Sequence, residues 1–264
     1  MGNKNIENLS DTVTVITGGG SGMGAAIAKG FSQCGAKVAI FDLDEDKGKK
    51  IVEEIQLTGG TASFFRVNVT KKKEIEESAC KVIKEYGKIN SWINSAGISK
   101  MAPFLESSEE LWDLMIDVNL KAIFLCCQVA VSEMLKIGGG TIINMSSLSG
   151  KKPSSWQTIY CASKFGVQGL SQSIAKEFAD KGIRVNTICP GIVATEMWAK
   201  LKYEYAKKRG LDPEEVLPYF ERNIPMHRLT DLQDVVNAAI FLSTDKSAYL
   251  TGQSINLVGG ELME

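Results

Sequence analysis

The stretch TVTVITGGGSGMG, residues 12–24, decides the fold. Its first half, TVTVIT (12–17), is rich in β-branched residues and reads as a strand. Glycines follow at 18, 19, 20, 22 and 24, and a helix runs from about Gly22 to Cys34. Glycine at such a turn lets the backbone bend sharply and approach a pyrophosphate, while the helix N-terminus supplies unpaired amides and a partial positive charge. A Gly-rich turn alone is weak grounds for a nucleotide site. Its place directly after the first strand gives it force.

Outward from this turn, short β-rich runs alternate with longer helical ones, as parallel βαβ units require. KVAIFD (37–42), ASFFRVN (62–68), INSWIN (89–94), GTIINMSS (140–147), IRVNTIC (183–189) and SINLV (254–258) read as strands. Helices are expected from Asp44 to Thr58, up to Tyr86, from a cap at Ser107 or Ser108 to Gly138, from Gln157 to about Asp180, and over 231–243. Residues 192–225 carry Met197, Trp198, Tyr203, Tyr205, Tyr219 and Phe220 without a strand pattern, and read as a lid inserted after the sixth strand. The expectation is a single α/β domain over 1–264: a Rossmann-like, doubly wound parallel sheet of about seven strands with helices on both faces.

Composition narrows the partners. A net charge of −1 gives no general attraction for nucleic acid or an anionic membrane. No apolar stretch is read as approaching the roughly eighteen residues that span a bilayer. The N-terminus MGNKNIENLSD is polar, without the apolar core of a secretory signal, and Ile6 breaks the myristoylation pattern that Gly2 would begin. The six cysteines, at 34, 80, 126, 127, 161 and 189, form no CxxC and suit buried thiols in a reducing cytoplasm. With one histidine, His227, no metal site is expected.

Chemistry concentrates in YCASKF. Tyr160 and Lys164 are one helical turn apart and share a face. A phenol beside an ammonium ionises more easily, which makes Tyr160 a candidate general acid/base. Working near neutrality needs a fall of about three pH units from the usual tyrosine range, roughly 4 kcal/mol. The same spacing recurs at Tyr203 and Lys207, which lack the company of Ser147 and Asn119 and read as bystanders. Asp42 ends the second strand, where a carboxylate meets the adenosine ribose hydroxyls and repels a 2′-phosphate. No Lys or Arg stands at Ser21 or Leu43 to relieve that repulsion, so NAD is favoured over NADP.

Taken together, these motifs resemble the short-chain dehydrogenase/reductase family over nearly the whole chain. TGGGSGMG (17–24) is similar to its TGxxxGxG, NSAG (94–97) to its NNAG, Tyr160-x3-Lys164 to its YxxxK, and PGIVAT (190–195) to its PGxxxT. The resemblance implies a catalytic set of Asn119, Ser147, Tyr160 and Lys164. Ser147 would hold the substrate oxygen, Asn119 a proton-relay water, and Lys164 the nicotinamide ribose. Lys164 and the positive nicotinamide ring would lower the Tyr160 hydroxyl. It further implies NAD(H) in a cleft formed by Gly18, Ser21, Gly22, Met23, Gly24, Asp42, Leu43, Asn68, Val69, Asn94, Ala96, Gly97, Tyr160, Lys164, Pro190, Gly191, Val193 and Thr195. Three positions depart from the pattern: Ser95, Asn68 in place of an Asp that meets the adenine amine, and Val258. An amide oxygen at Asn68 could still accept that bond.

GIVATEMW and SAYLTGQSINLVGG resemble the branch acting on diols and polyols, such as butanediol and sorbitol dehydrogenases. Ser149, Trp156, Met197 and Trp198 are the candidate substrate contacts, and Trp156, Met197, Trp198 and Tyr219 would also suit a flat apolar substrate such as a hydroxysteroid or bile acid, the second choice. A 3-oxoacyl carrier-protein reductase and a catalytically inactive nucleotide-binding scaffold are the remaining alternatives. Lys100, Lys151 and Lys152 stand where they could draw an anionic substrate or be plain surface lysines. The resemblance also implies a dimer or tetramer, and the apolar Phe124, Leu125, Phe165 and Leu170 suit one.

Overall fold

The computed structural model describes residues 8–263. The lipidation reading at Gly2 and Ile6 lies outside them. Seven strands form one sheet: β1 (Val13–Thr17), β2 (Lys37–Asp42), β3 (Thr61–Arg66), β4 (Ser91–Asn94), β5 (Gly140–Met145), β6 (Ile183–Pro190) and β7 (Ser254–Leu257). Their order is β3-β2-β1-β4-β5-β6-β7, and every pair is parallel. The chain runs outward from β1 to β3, then returns to place β4 beside β1. The carboxyl ends of β1 and β4 thereby frame the crevice at which such sheets bind ligands.

Parallel strands covered on both faces must be apolar on both, and they are. Along β2, Val38 and Ile40 enter one core cluster while Ala39 and Phe41 enter the other. The period of two thus divides a continuous hydrophobic run between two layers. One layer carries α1 (Gly22–Gln33), α2 (Glu45–Leu57) and α9 (Leu232–Ser243). The other carries α3 (Lys72–Tyr86), α5 (Ala122–Lys136) and α6 (Thr158–Phe178), with Trp92 buried edge-on against Phe41.

Of the two candidate caps before the long helix, Ser108 is the one used: it accepts the Leu111 amide at 3.2 Å and starts α4 (Glu109–Ile116). Ser107 instead donates to the Pro103 carbonyl. Between α4 and α5 the run is π-helical at Asp117–Lys121, a local widening that the sequence pattern does not signal. Glu109–Lys136 also corrects the expectation about apolar length, since an 18-residue window in it has mean hydropathy 1.8. Half of that window is buried inside the protein, with Ile123, Cys126, Cys127, Ala130 and Met134 packed on the sheet, as in a core helix. Four cysteines are buried as expected, while Cys34 is half-buried and Cys80 is exposed.

The lid region folds as α7 (Glu196–Arg209) and α8 (Val216–Asn223). The two build their own small core around Met101, Leu201, Tyr205, Ala206 and Val216, closed by Trp156, Trp198, Tyr219 and Phe220. Ring centroids lie 4.7 Å apart for Tyr205–Phe220 and 5.3 Å for Trp198–Phe220.

Candidate active site

A cavity of about 650 Å³ runs along the carboxyl ends of the strands, from the Gly18–Gly24 turn to the lid. Within the sheet a buried polar row stands in register, Thr17–Asn94–Asn144–Thr187. Asn94 donates to Asn144 at 2.8 Å and accepts from the Trp92 indole at 2.9 Å, and Asn144 donates to Ser171 of α6 at 2.9 Å. Thr17 accepts the Ser95 and Ala96 amides at 3.2 Å each. These bonds hold the loop after β4 against the glycine turn. Asn94 is therefore buried beneath the cavity and does not line it, unlike its neighbours Ser95, Ala96 and Gly97.

The turn itself tolerates only glycine at two places. Gly18 has φ +66°, and a Cβ there would stand 2.8 Å from the Ala96 Cα; at Gly24 it would meet the Gly18 carbonyl oxygen at 2.1 Å. Asp42 accepts the Gly20 amide at 2.9 Å and the Asp44 amide at 3.0 Å, so the carboxylate is fixed at the cavity wall. Asp44 is the N-cap of α2, accepting the Lys47 amide. The Lys47 ammonium feels Asp42 but is tied to Glu196 at 2.7 Å, and that partner raises it above the usual lysine range. At Asn68 the amide oxygen already accepts the Thr70 amide at 3.0 Å and its hydroxyl at 2.8 Å. Both lone pairs are engaged, so the expected bond from an adenine amine would have to displace Thr70.

Ser147, two residues beyond β5, accepts the Ser149 amide at 3.1 Å and stands near enough to the Tyr160 hydroxyl to exert a lowering effect on it. One turn along α6, the Lys164 ammonium lies 5.7 Å from the Tyr160 ring centroid and donates to the Met145 carbonyl at 2.8 Å. Ser146 anchors the same turn of α6 by donating to the Lys164 carbonyl. Burial pushes the Tyr160 hydroxyl up to about 12, against the lowering effect of Ser147. Burial also pulls Lys164 down to about 8. In the chain alone burial dominates at Tyr160; the lowering expected from Lys164 and the positive nicotinamide ring together belongs to the cofactor-bound enzyme. Both groups are withdrawn from water, and among the described residues the ammonium has one hydrogen-bond acceptor for three N–H bonds.

Asn119 sits in the π-helical segment, fully buried. Its amide oxygen accepts the Ile98 amide at 2.8 Å, and its nitrogen donates to the Ile98 carbonyl at 2.9 Å and to Ser163 at 3.4 Å. With both donors engaged, the side chain clamps the loop after β4, and its oxygen keeps one lone pair that a water could use.

Ser21, Gly22, Met23, Gly24, Leu43, Val69, Pro190, Gly191, Val193 and Thr195 line the cavity, as do Ser149, Met197 and Trp198. Trp156 does not: at φ +63° its ring turns into the lid core, and its carbonyl accepts the Ala102 amide. Of the three lysines considered for an anionic substrate, Lys152 lines the cavity and Lys100 and Lys151 do not; the lining adds residues that the motifs did not single out, among them Ser154, Gln157, Leu201, Tyr205, Lys208, Arg209 and Glu261. The 198–201–205–208 spacing is one face of a helix and could have pointed to the α7 members.

The glycine cradle, the fixed carboxylate and the partner-poor Lys164 beside Gly97 fit a dinucleotide, with Ser147 and Tyr160 farther along the same cavity. The family model for short chain dehydrogenases matches residues 12–206. A 2,5-dichloro-2,5-cyclohexadiene-1,4-diol dehydrogenase, LinX, of Sphingobium indicum is 40% identical over 252 residues, 96% of each chain. A 3-oxoacyl-[acyl-carrier-protein] reductase, FabG, of Thermotoga maritima is 37% identical over 96% of this chain and 98% of its own. The crystal structure of sorbitol-6-phosphate 2-dehydrogenase, SrlD, from Erwinia amylovora superposes with a TM-score of 0.92 at 37% identity, covering 96% of this chain and 100% of that one. This chain belongs to the short chain dehydrogenase family and is an oxidoreductase.

Proposed function

We propose that the protein is an NAD(H)-dependent dehydrogenase interconverting a secondary alcohol and a ketone, with Tyr160 as general acid/base and a small diol or polyol as substrate. The observation that carries this reading is that Ser147 and Tyr160 line one cavity continuous with the glycine turn. A bound nicotinamide would supply the hydride acceptor for oxidation. The chain's part is proton handling and orientation: Ser147 holds the substrate oxygen, and Tyr160 as phenolate takes the hydroxyl proton, or returns it in reduction. Lys164 favours the phenolate by its charge whenever it is protonated. All the catalytic residues are present, which argues against an inactive scaffold.

Preference for NAD rests on Asp42, whose carboxylate is fixed by the Gly20 and Asp44 amides while the nearby Lys47 is paired with Glu196. A diol or polyol substrate is supported by the diol dehydrogenase and the sorbitol-6-phosphate dehydrogenase among the relatives. The hydroxysteroid alternative drew on aromatic residues of which Trp156 and Tyr219 are used in packing the lid. Pairing of copies is supported by the exposed Phe124 and Phe165, whereas Leu125 and Leu170 turn inward. The test is Tyr160→Phe, assayed by NADH formation from a panel of diols and sugar alcohols. The expected result is a loss of at least about a hundredfold, on the scale of general acid/base catalysis. Oxidation at the wild-type rate would rule the mechanism out.

A further inference from the structure

The walls of the cavity differ in charge from one end to the other. Near the glycine turn stand Asp42 and Glu196, the latter paired with Lys47. Toward the lid stand three cations, Lys152, Lys208 and Arg209, and one carboxylate, Glu261. Glu261 lies 3.5 Å from Lys152, which leaves Lys208 and Arg209 uncompensated. Among the described residues, no carboxylate approaches either within salt-bridge distance, although Lys202 on the same helix has Glu214.

Lys208 and Arg209 converge on one ring. The Lys208 ammonium lies 5.4 Å and the Arg209 guanidinium 5.8 Å from the Tyr205 centroid. Lys208 is further held by the Ser154 hydroxyl at 3.2 Å and the Ser155 carbonyl at 2.8 Å, which fixes it at the wall and leaves one N–H without a partner. Burial, then the neighbouring Arg209, holds Lys208 below the usual lysine range. Lys208 is partly withdrawn from water beside the exposed Arg209, so the ammonium carries both a desolvation cost and a like-charge neighbour. An anion placed between them removes both the repulsion and the missing hydrogen bonds.

We propose that the lid end of the cavity is an anion subsite, in which Lys208 and Arg209, with Lys152 nearby, receive a phosphate or carboxylate carried by the substrate. Resting on the diol or polyol reading above, this assigns a polyol bearing an anionic group away from the carbon that reacts. Helix α7 then selects the substrate, and the Tyr160 face performs the chemistry.

The test uses the full-length enzyme with saturating NAD and three substrates: a neutral hexitol, its terminal phosphate monoester and its terminal carboxylate. The wild type should favour at least one anionic form over the neutral one in kcat/KM by about tenfold or more, the scale of a charge-assisted hydrogen bond. Which anionic form gains decides between phosphate and carboxylate. Lys208→Met and Arg209→Met should each reduce that ratio by about tenfold, with Arg209→Lys restoring part of it. If the ratio is near one in the wild type, or if a variant lowers all three substrates in parallel, the subsite is refuted and Lys208 is only a clamp on the Ser154–Ser155 loop. If no hexitol of any charge is oxidised, the polyol reading fails, and the subsite is judged by calorimetry of inorganic phosphate on the NADH-bound protein. Binding that Arg209→Met abolishes sustains the subsite, and no binding overturns it.

Discussion

Replacing Lys164 by Met tests whether the ammonium acts on Tyr160 through its charge or only by holding a ligand. At the 5.7 Å that separates it from the Tyr160 ring, a unit charge at an effective dielectric near 20 is worth about 3 kcal/mol. That equals about two pH units in the ionisation of the phenol. Because burial lowers Lys164 to about 8, its charge is present below that pH and fades above it. The help it gives the phenolate therefore belongs to the lower range, where Tyr160, pushed up to about 12 in the chain alone, needs it most. Lys164→Met should lower oxidation about a hundredfold at neutral pH, and the deficit should shrink as pH rises past 8. The assay is the initial rate of NADH formation at saturating NAD and alcohol, between about pH 6 and 10, with a melting curve confirming that the variant folds. Two profiles offset by a constant factor at every pH would refute the electrostatic role and leave Lys164 a ligand-holding residue.

Gly18→Ala brings a Cβ to 2.8 Å from the Ala96 backbone at φ +66°. It should cost about 1–3 kcal/mol in stability and at least tenfold in NADH affinity, read by thermal melting and fluorescence titration; an unchanged protein would contradict the close-approach argument. Asp42→Asn keeps an acceptor for the Gly20 amide while removing the charge. The NADPH-to-NADH ratio of kcat/KM should rise at least about tenfold, since like charges near 4 Å cost on the order of 4 kcal/mol at intermediate dielectric. A ratio that does not move would end the case for NAD preference at this residue. Tyr203→Phe alters a side chain 58% exposed with Lys202 over its ring. Activity should stay within about twofold and stability within about 0.5 kcal/mol, and a large loss would mean that the second Tyr–Lys spacing is no bystander.

Most strands and helices were legible because each carries its own period and its own stop. In β2, alternating residues serve two cores, and α2 starts at an Asp N-cap. The π-helical segment at Asp117–Lys121 was not legible, since a single widened turn leaves the apolar pattern of Glu109–Lys136 almost unaltered. Nor was the turning away of Trp156, which depends on a positive φ that no local signal announces. Asn94 and Asn119 stand out by their motifs, while the bracing they provide does not: one beneath the sheet ends, the other against the Ile98 backbone. Which hydrogen bonds an amide makes depends on partners 21 to 50 residues away.

The sequence by itself determined the parallel βαβ frame, the glycine turn, the acid at the end of β2 and the one-turn spacing of Tyr160 and Lys164. Those are local properties, set by periodicity, backbone freedom and helical geometry. Only the tertiary structure decided the proton affinities of that pair, because burial is a sum over elements distant in sequence. It likewise decided that Lys208 and Arg209, remote from every motif, close the far end of the same cavity. Their place depends on how α7 docks against the 151–157 loop, and docking is a matter of packing that no spacing along the chain records.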